Sequence, residues 1–230
     1  MSVSSFSTSA QPQAAPTLRR RQWMGGAIAL GATALLGACG RNKTKAQPVP
    51  AGATVLALGD SLTSGVGATA ETAYPAVLAR LTGWNVVNGG VPGDTSAQAL
   101  AREPALLAEH QPKLVIVGIG GNDFLRKLPE SDTRTHVHAI GRQALDAGAQ
   151  VLLVAVPRAT LAAAMGQMTD HPLYAEVAKD LKIPLVRDAW GEVLSKPELR
   201  SDTVHANARG YEQFARSVRG TAAAVGLLAR

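Results

Sequence analysis

Residues 55–68 read "VLALGDSLTSGVGA". An apolar run ends abruptly at Gly59, and Asp60 and Ser61 follow at once. A short continuous apolar run bounded by glycine is the pattern of a strand buried on both faces. Such strands belong to parallel sheets, where each strand is followed by a helical crossover. The rest of the chain therefore has to alternate between short apolar runs and helix-period segments.

It does so. "ETAYPAVLARLTG" (71–83) reads as a helix closed by Gly83, and "WNVVN" (84–88) as a second strand. "TSAQALAREPALLAEH" (95–110) is helical, with Pro104 expected to divide it into two pieces. "KLVIVGIG" (113–120) is a third strand and "SDTRTHVHAIGRQALDAG" (131–148) the next helix. "QVLLVAV" (150–156), "HPLYAEVAKDLK" (171–182) and "IPLVRDA" (183–189) continue as strand, helix and short strand. "ANARGYEQFARSVRGTAAAVGLLA" (206–229) closes the chain as a long helix. No internal repeat is visible. The expectation is an α/β, three-layer α/β/α sandwich around a five-stranded, mostly parallel sheet.

The first residues stand outside that pattern. Residues 1–18 are rich in Ser, Ala, Gln, Pro and Thr and cannot build a core. "RRRQWMGGAIALGATALLGACG" then places three arginines before an apolar run from Trp23 to Ala38 that ends in small residues. This is the n-region, h-region and cleavage-site order of a secretory signal. The run is short for a membrane span, which is the competing reading. Arg20 to Met24 resembles a twin-arginine export signal. Leu36 to Cys39, "LGAC", resembles a bacterial lipobox, and Cys39 is the sole cysteine of the chain. Cys39 is therefore expected to be lipidated and to become the mature N-terminus. Gly40 is not the Asp that often marks inner-membrane retention, so a periplasm-facing anchor on the outer membrane is expected. The expected organisation is a tail and signal over 1–39, a flexible tether over 40–53 and one globular domain over 54–230.

The formal charge is +6. Without Arg19, Arg20 and Arg21 the excess is +3, from 20 Lys and Arg against 17 Asp and Glu. A charge so small and scattered does not point to nucleic acid. No set of His, Cys, Asp and Glu has metal-ligand spacing, and no metal or cofactor is implied.

In parallel α/β sheets, ligands bind beyond the carboxyl ends of the strands. Four segments put chemically capable residues there. Ser61 follows strand one, where the bland reading is a turn or cap serine. Gly93, in "GGVPGDTS" (89–96), follows strand two as a turn glycine or as a backbone donor turned into the cleft. Asn122, in "GIGGNDF" (118–124), follows strand three as a helix cap or an oxyanion donor. Asp202 and His205, in "SDTVHANARGY" (201–211), are three residues apart and can share one turn, so the carboxylate can hold the imidazole. His110, His136, His138 and His171 lack that spacing and read as surface or packing residues.

Taken in order, "GDSL" (59–62), Gly93, "GGND" (120–123) and "DTVH" (202–205) resemble the blocks of the GDSL, or SGNH, hydrolase family. The resemblance spans about residues 54–225. The last block departs mildly, with Thr203 and Val204 between Asp and His where Gly-Ile is frequent. The resemblance implies a flavodoxin-like sheet order, Ser61 as nucleophile, His205 as general base and acid, and Asp202 as the orienting carboxylate. It places the oxyanion hole on Ser61 N–H, Gly93 N–H and the Asn122 amide. Asp60 and Asp94 are expected to support these groups from behind, with Thr95 and Ser96 beside Asp94. The middle segment is similar to the bacterial periplasmic arylesterase, thioesterase I and lysophospholipase subgroup. Residues 158–172 depart from that subgroup and are expected to border the acyl pocket.

The implied activity is hydrolysis of carboxylic esters, or thioesters, through an acyl-enzyme by a monomer, in a small cleft lined by Ala and Gly. Lysophospholipid is a plausible substrate beside a membrane. Two alternatives remain at this point: a carbohydrate O-deacetylase of the same fold, and an idle envelope lipoprotein that only binds.

Overall fold

The computed structural model describes residues 46–158 and 168–228. The arginine triplet, Cys39 and the first part of the expected tether lie outside the described residues, as does most of the 158–172 segment.

Five strands, β1 (Thr54–Gly59), β2 (Asn85–Gly90), β3 (Leu114–Gly118), β4 (Gln150–Val154) and β5 (Leu185–Val186), form one sheet in the order β2-β1-β3-β4-β5. All four pairings are parallel. This is the doubly wound, flavodoxin-like order, whose switch point lies between β1 and β3. The expected sandwich is therefore present, and among the described residues every strand of the sheet is parallel to its neighbours.

The alternation along β1 shows how both faces are covered. Val55 and Ala57 pack with Tyr74, Trp190 and Phe214 on one side, while Leu56 and Leu58 pack with Ala99, Ile140 and Val177 on the other. The first layer holds α2 (Tyr74–Thr82), α7 (Ala189–Leu194) and α8 (Ala208–Val225). The second holds α3 (Ser96–His110), α5 (Glu130–Asp146) and α6 (Pro172–Leu181). Two short helices, α1 (Ser61–Ser64) and α4 (Gly121–Leu125), follow β1 and β3 directly. They are too short to show a 3.6-residue period, so the sequence pattern does not reveal them.

Three expectations need correcting. Pro104 does not divide α3, which runs unbroken from Ser96 to His110. Proline removes one helix hydrogen bond, but a capping box at Thr95 and Gln98 and the buried side chains of Ala99, Glu103 and Leu107 hold the helix together. The fifth strand is two residues long, because Asp188 turns the chain into α7 with φ of 57°. The tether does not extend to residue 53. Val49 is buried, its N–H donates to Leu227 O (2.8 Å), and its carbonyl accepts from Trp84 Nε1 (3.0 Å). Gln47 and Gln150 exchange two further bonds of 2.7 Å each. An apolar residue with partners for both backbone groups gains more by packing than by staying in water.

Glycine matters at the end of β1 and β2 for closeness rather than for φ. A Cβ on Gly59 would strike the Gly118 carbonyl and Thr63, and one on Gly90 would strike the backbone of Thr63 and Ser64. These two positions let α1, which begins at Ser61, sit directly on the sheet edge.

Candidate active site

Ser61 is the first residue of α1, and Asp60 is its N-cap, accepting from Leu62 N–H (3.0 Å). The loop before α8 brings His205 back across the sheet edge. His205 Nε2 lies 2.9 Å from Ser61 Oγ, and His205 Nδ1 lies 2.7 Å from Asp202 Oδ2. The other Asp202 oxygen accepts from the Val204 and His205 N–H groups, each at 2.8 Å. Partial burial works against ionisation of Asp202. Hydrogen bonds from the imidazole and the two amides outweigh it and hold the carboxyl below its usual range. An ionised carboxylate so placed fixes which imidazole nitrogen carries the proton and leaves Nε2 facing the serine.

Asn122 sits in α4, and its Nδ2 donates to the Asp94 carbonyl (2.9 Å), one residue beyond Gly93. One amide hydrogen remains for the cavity it lines. Gly93 has φ of +85°, a conformation that favours glycine, and its carbonyl accepts from Arg126 Nη2 (2.8 Å). Among the described residues, no protein acceptor takes the N–H of Gly93 or of Ser61. The three backbone and side-chain donors are thus free for an oxygen anion.

Asp94 is buried and paired with Arg102 Nε (2.7 Å), while Arg102 Nη2 donates to the Gly59 carbonyl (2.8 Å). Arg102 therefore ties the loop after β2 to the end of β1. Asp60 is also buried, 3% exposed, and desolvation raises its carboxyl to about 6 against the lowering effects of Leu62 N–H and His205. Neither Arg102 nor the carboxylate of Asp123 emerges from the sequence reading. Asp123 accepts from Ser96 N–H (2.8 Å), from the Ser96 hydroxyl, and from Thr133 Oγ1 (3.3 Å). The available signal was spacing: Arg102 is two helical turns beyond Thr95 and so returns to the face that carries Asp94's loop.

Of the other histidines, His171 is buried, stacks on Phe124 at 4.5 Å and caps α6, as a packing residue does. His136 Nδ1 lies 3.1 Å from Ser96 Oγ.

Beside Ser61 opens a cavity of about 380 Å³. Among the described residues, Gly121 alone answers to the Ala and Gly lining expected, and the wall is mainly of larger side chains. Leu62, Phe124, Leu125, Val156, Met168 and Leu194 form most of its apolar wall. They come from the short helices α1, α4 and α7 and from the described parts of the connection between β4 and α6, outside the small residues that end the strands. Arg158 and Met168, the described ends of the segment expected to border an acyl pocket, both line it.

Comparison with known proteins gives the family. The GDSL-like lipase/acylhydrolase family matches residues 57–213. Thioesterase 1/protease 1/lysophospholipase L1 of Escherichia coli K12 is 38% identical over 162 residues, 67% of this chain and 76% of that protein. An arylesterase of Vibrio mimicus is 29% identical over 153 residues, 64% of this chain and 76% of its own. The crystal structure of TesA superposes with a TM-score of 0.67 at 28% identity, covering 75% of this chain and 99% of that one. The chain belongs to the GDSL-like lipase/acylhydrolase family and is a serine hydrolase of ester bonds.

Proposed function

We propose that Ser61 is the nucleophile of this esterase, His205 its general base and acid, and Asp202 the group that holds the imidazole. The observation that carries this reading is the unbroken chain of contacts, Ser61 Oγ to His205 Nε2 at 2.9 Å and His205 Nδ1 to Asp202 at 2.7 Å. Ser61 Oγ attacks the acyl carbon while its proton passes to His205 Nε2. The carbonyl oxygen becomes an anion facing Ser61 N–H, Gly93 N–H and the spare Asn122 hydrogen. Collapse expels the alcohol or thiol, which takes the proton from His205 and leaves an acyl-serine. Water then loses a proton to His205, attacks the same carbon and releases the acid, with the proton returned to Ser61.

The apolar wall of the cavity favours an alkyl acyl chain longer than acetyl. An acetyl group would leave Phe124, Met168 and Leu194 uncovered, which speaks against the O-deacetylase alternative. The full set of catalytic groups in contact speaks against an idle binding protein. The Escherichia coli relative's name includes both thioesterase and lysophospholipase. Single-chain lipid esters and thioesters are accordingly the substrate class we assign, to be hydrolysed by a monomer.

The test is hydrolysis of p-nitrophenyl esters from acetyl to palmitoyl by residues 42–230, which form a compact unit of their own. Ser61→Ala should lower kcat by about four orders of magnitude or more, judged from triad deletions elsewhere. The rate should peak at a medium chain. Equal rates for the two proteins would overturn the assignment.

The leader supports export to the periplasm, and Cys39 within "LGAC" supports a lipid anchor facing the periplasm from the outer membrane. Cys39→Ser should release the full-length protein from the membrane fraction in high salt. Retention would mean that another part of the chain anchors it.

A further inference from the structure

Among the described residues, five large apolar side chains are strongly exposed: Val66, Val91, Leu125, Leu128 and Val204. Isolated exposed apolar residues are ordinary on any protein. These five are not scattered. Val66 follows α1 and its N–H bonds the Ser61 carbonyl (3.1 Å). Val91 lies two residues before Gly93, Leu125 and Leu128 lie just beyond Asn122, and Val204 adjoins His205. Each loop at the carboxyl edge that brings a catalytic group to the site also turns an apolar side chain outward. Leu125 and Val204 line the cavity itself.

The turn from Leu125 to Leu128 is the most pronounced of these. All four of its side chains are exposed, and Leu125 is 56% so. Lys127 takes φ of 55°, where glycine is the usual residue. The N–H groups of Arg126, Lys127 and Leu128 all bond back into the protein, to Asn122 O, Phe124 O and Asp123 O at 2.9–3.0 Å. The turn is thus held rigidly, presenting two leucines and two cations to the outside. Arg158 adds a third exposed cation at the cavity wall. Of the acidic residues bordering these loops, Asp202 is held by His205 and Glu130 lies 3.2 Å from His171, while Asp132 is exposed and bonded to the Ser131 hydroxyl.

We infer that the mouth of the active site is a docking surface for an anionic phospholipid layer, anchored by the Leu125–Leu128 turn. The inference rests on the esterase reading above, since it explains how a single-chain lipid reaches the cavity. Apolar side chains interleaved with Arg and Lys match a surface of acyl chains under negative headgroups. A partner protein seated on the same side chains would cover the mouth, whereas a lipid layer holds the amphiphile that the cavity accepts.

The test is co-sedimentation of residues 42–230 with vesicles of phosphatidylglycerol or of phosphatidylcholine, alongside hydrolysis of soluble p-nitrophenyl butyrate. The protein should bind the anionic vesicles, release them at high salt, and bind the zwitterionic ones far less. Lys127→Glu and Leu128→Ser should each weaken binding roughly fivefold or more. Their rates on the soluble ester should stay within about twofold of the parent, because neither side chain lines the cavity. Failure of the parent to bind anionic vesicles, or undiminished binding by both variants, would overturn the inference. So would a concentration-dependent dimer that the same two substitutions abolish, which would make a second copy the occupant. Vesicle binding without Ser61-dependent hydrolysis of the soluble ester would count against the catalytic assignment instead.

Discussion

Asp123 receives two hydrogen bonds from a single residue, Ser96, through its backbone N–H and its hydroxyl. Ser96 begins α3, directly after the Gly93 loop, and Asp123 follows Asn122 in α4. Asn122 reciprocates by donating to the Asp94 carbonyl (2.9 Å). The loops after β2 and β3 are therefore clasped together. That fixes the distance between the Gly93 N–H and the Asn122 amide, the proposed oxyanion donors, before any substrate arrives, the preorganisation that makes such donors effective.

Breaking the clasp should affect turnover more than binding. Asp123→Ala leaves the buried Ser96 N–H without its acceptor, at about 1–3 kcal/mol for an orphaned group, and leaves the hydroxyl only His136 Nδ1 at 3.1 Å. Lower thermal stability and a reduced kcat at nearly constant KM are expected. Ser96→Ala, which keeps the backbone bond, should show a milder form of both. A stable Asp123→Ala enzyme with unchanged kcat would show that the donors are positioned in another way.

Removing an oxyanion donor has a distinct signature. Asn122→Ala should lower kcat by about 10²–10³ and leave KM nearly unchanged, because the charged oxygen exists mainly in the transition state. Steady-state kinetics on one soluble ester decides the point.

The limits of the sequence are clearest around these residues. Ser61, Asn122, Asp202 and His205 were legible because the strand-end rule and block order both point to them. The clasp was not legible: Asp123 stands in the quoted "GGND", but its partner is 27 positions away, and only the sheet order makes them neighbours. Arg102 was hidden for the same reason, as its second acceptor is the Gly59 carbonyl on another strand. Helix periodicity gave the long helices, while Pro104 misled because local propensity yields to packing in a helix with a buried face. The cavity wall could not be read, since it gathers side chains from loops and from the short helices α1, α4 and α7, which carry no periodic signal.

Glu103 predicts a pH-dependent stability. It is fully buried on α3, and neither carboxylate oxygen has a hydrogen-bond partner among the described residues. Burial lifts its carboxyl from 4.5 to about 8. The folded protein therefore keeps the proton up to about pH 8, whereas the unfolded chain releases it near pH 4.5. Unfolding releases a proton in that window, so stability falls as pH rises through it and levels off above. Glu103→Met, similar in length and uncharged, should melt higher than the parent, with the difference widening between pH 5 and pH 8. A constant difference across that range would contradict a buried, titrating Glu103.

Asp60 predicts a change in the acid limb of the rate profile. Burial raises its carboxyl to about 6, so it changes charge in the range where the enzyme is assayed, beside the His205 it stabilises. Asp60→Asn can still accept the Leu62 N–H and so keeps the cap. The variant should show a lower kcat and a shallower acid limb in kcat/KM, since one ionisation has been removed. An unaltered slope would remove Asp60 from the charge balance of the site.

The most direct test of the account is to trap the nucleophile. The protein, as residues 42–230, is treated with a p-nitrophenyl alkylphosphonate, and its intact mass and the modified peptide are determined. The account predicts one phosphonyl group per chain, located on Ser61, with release of one equivalent of p-nitrophenol and loss of esterase activity in proportion. It also predicts no adduct on Ser61→Ala and a much slower one on His205→Ala. Full modification of Ser61→Ala, or an adduct on another residue that tracks the loss of activity, would contradict it.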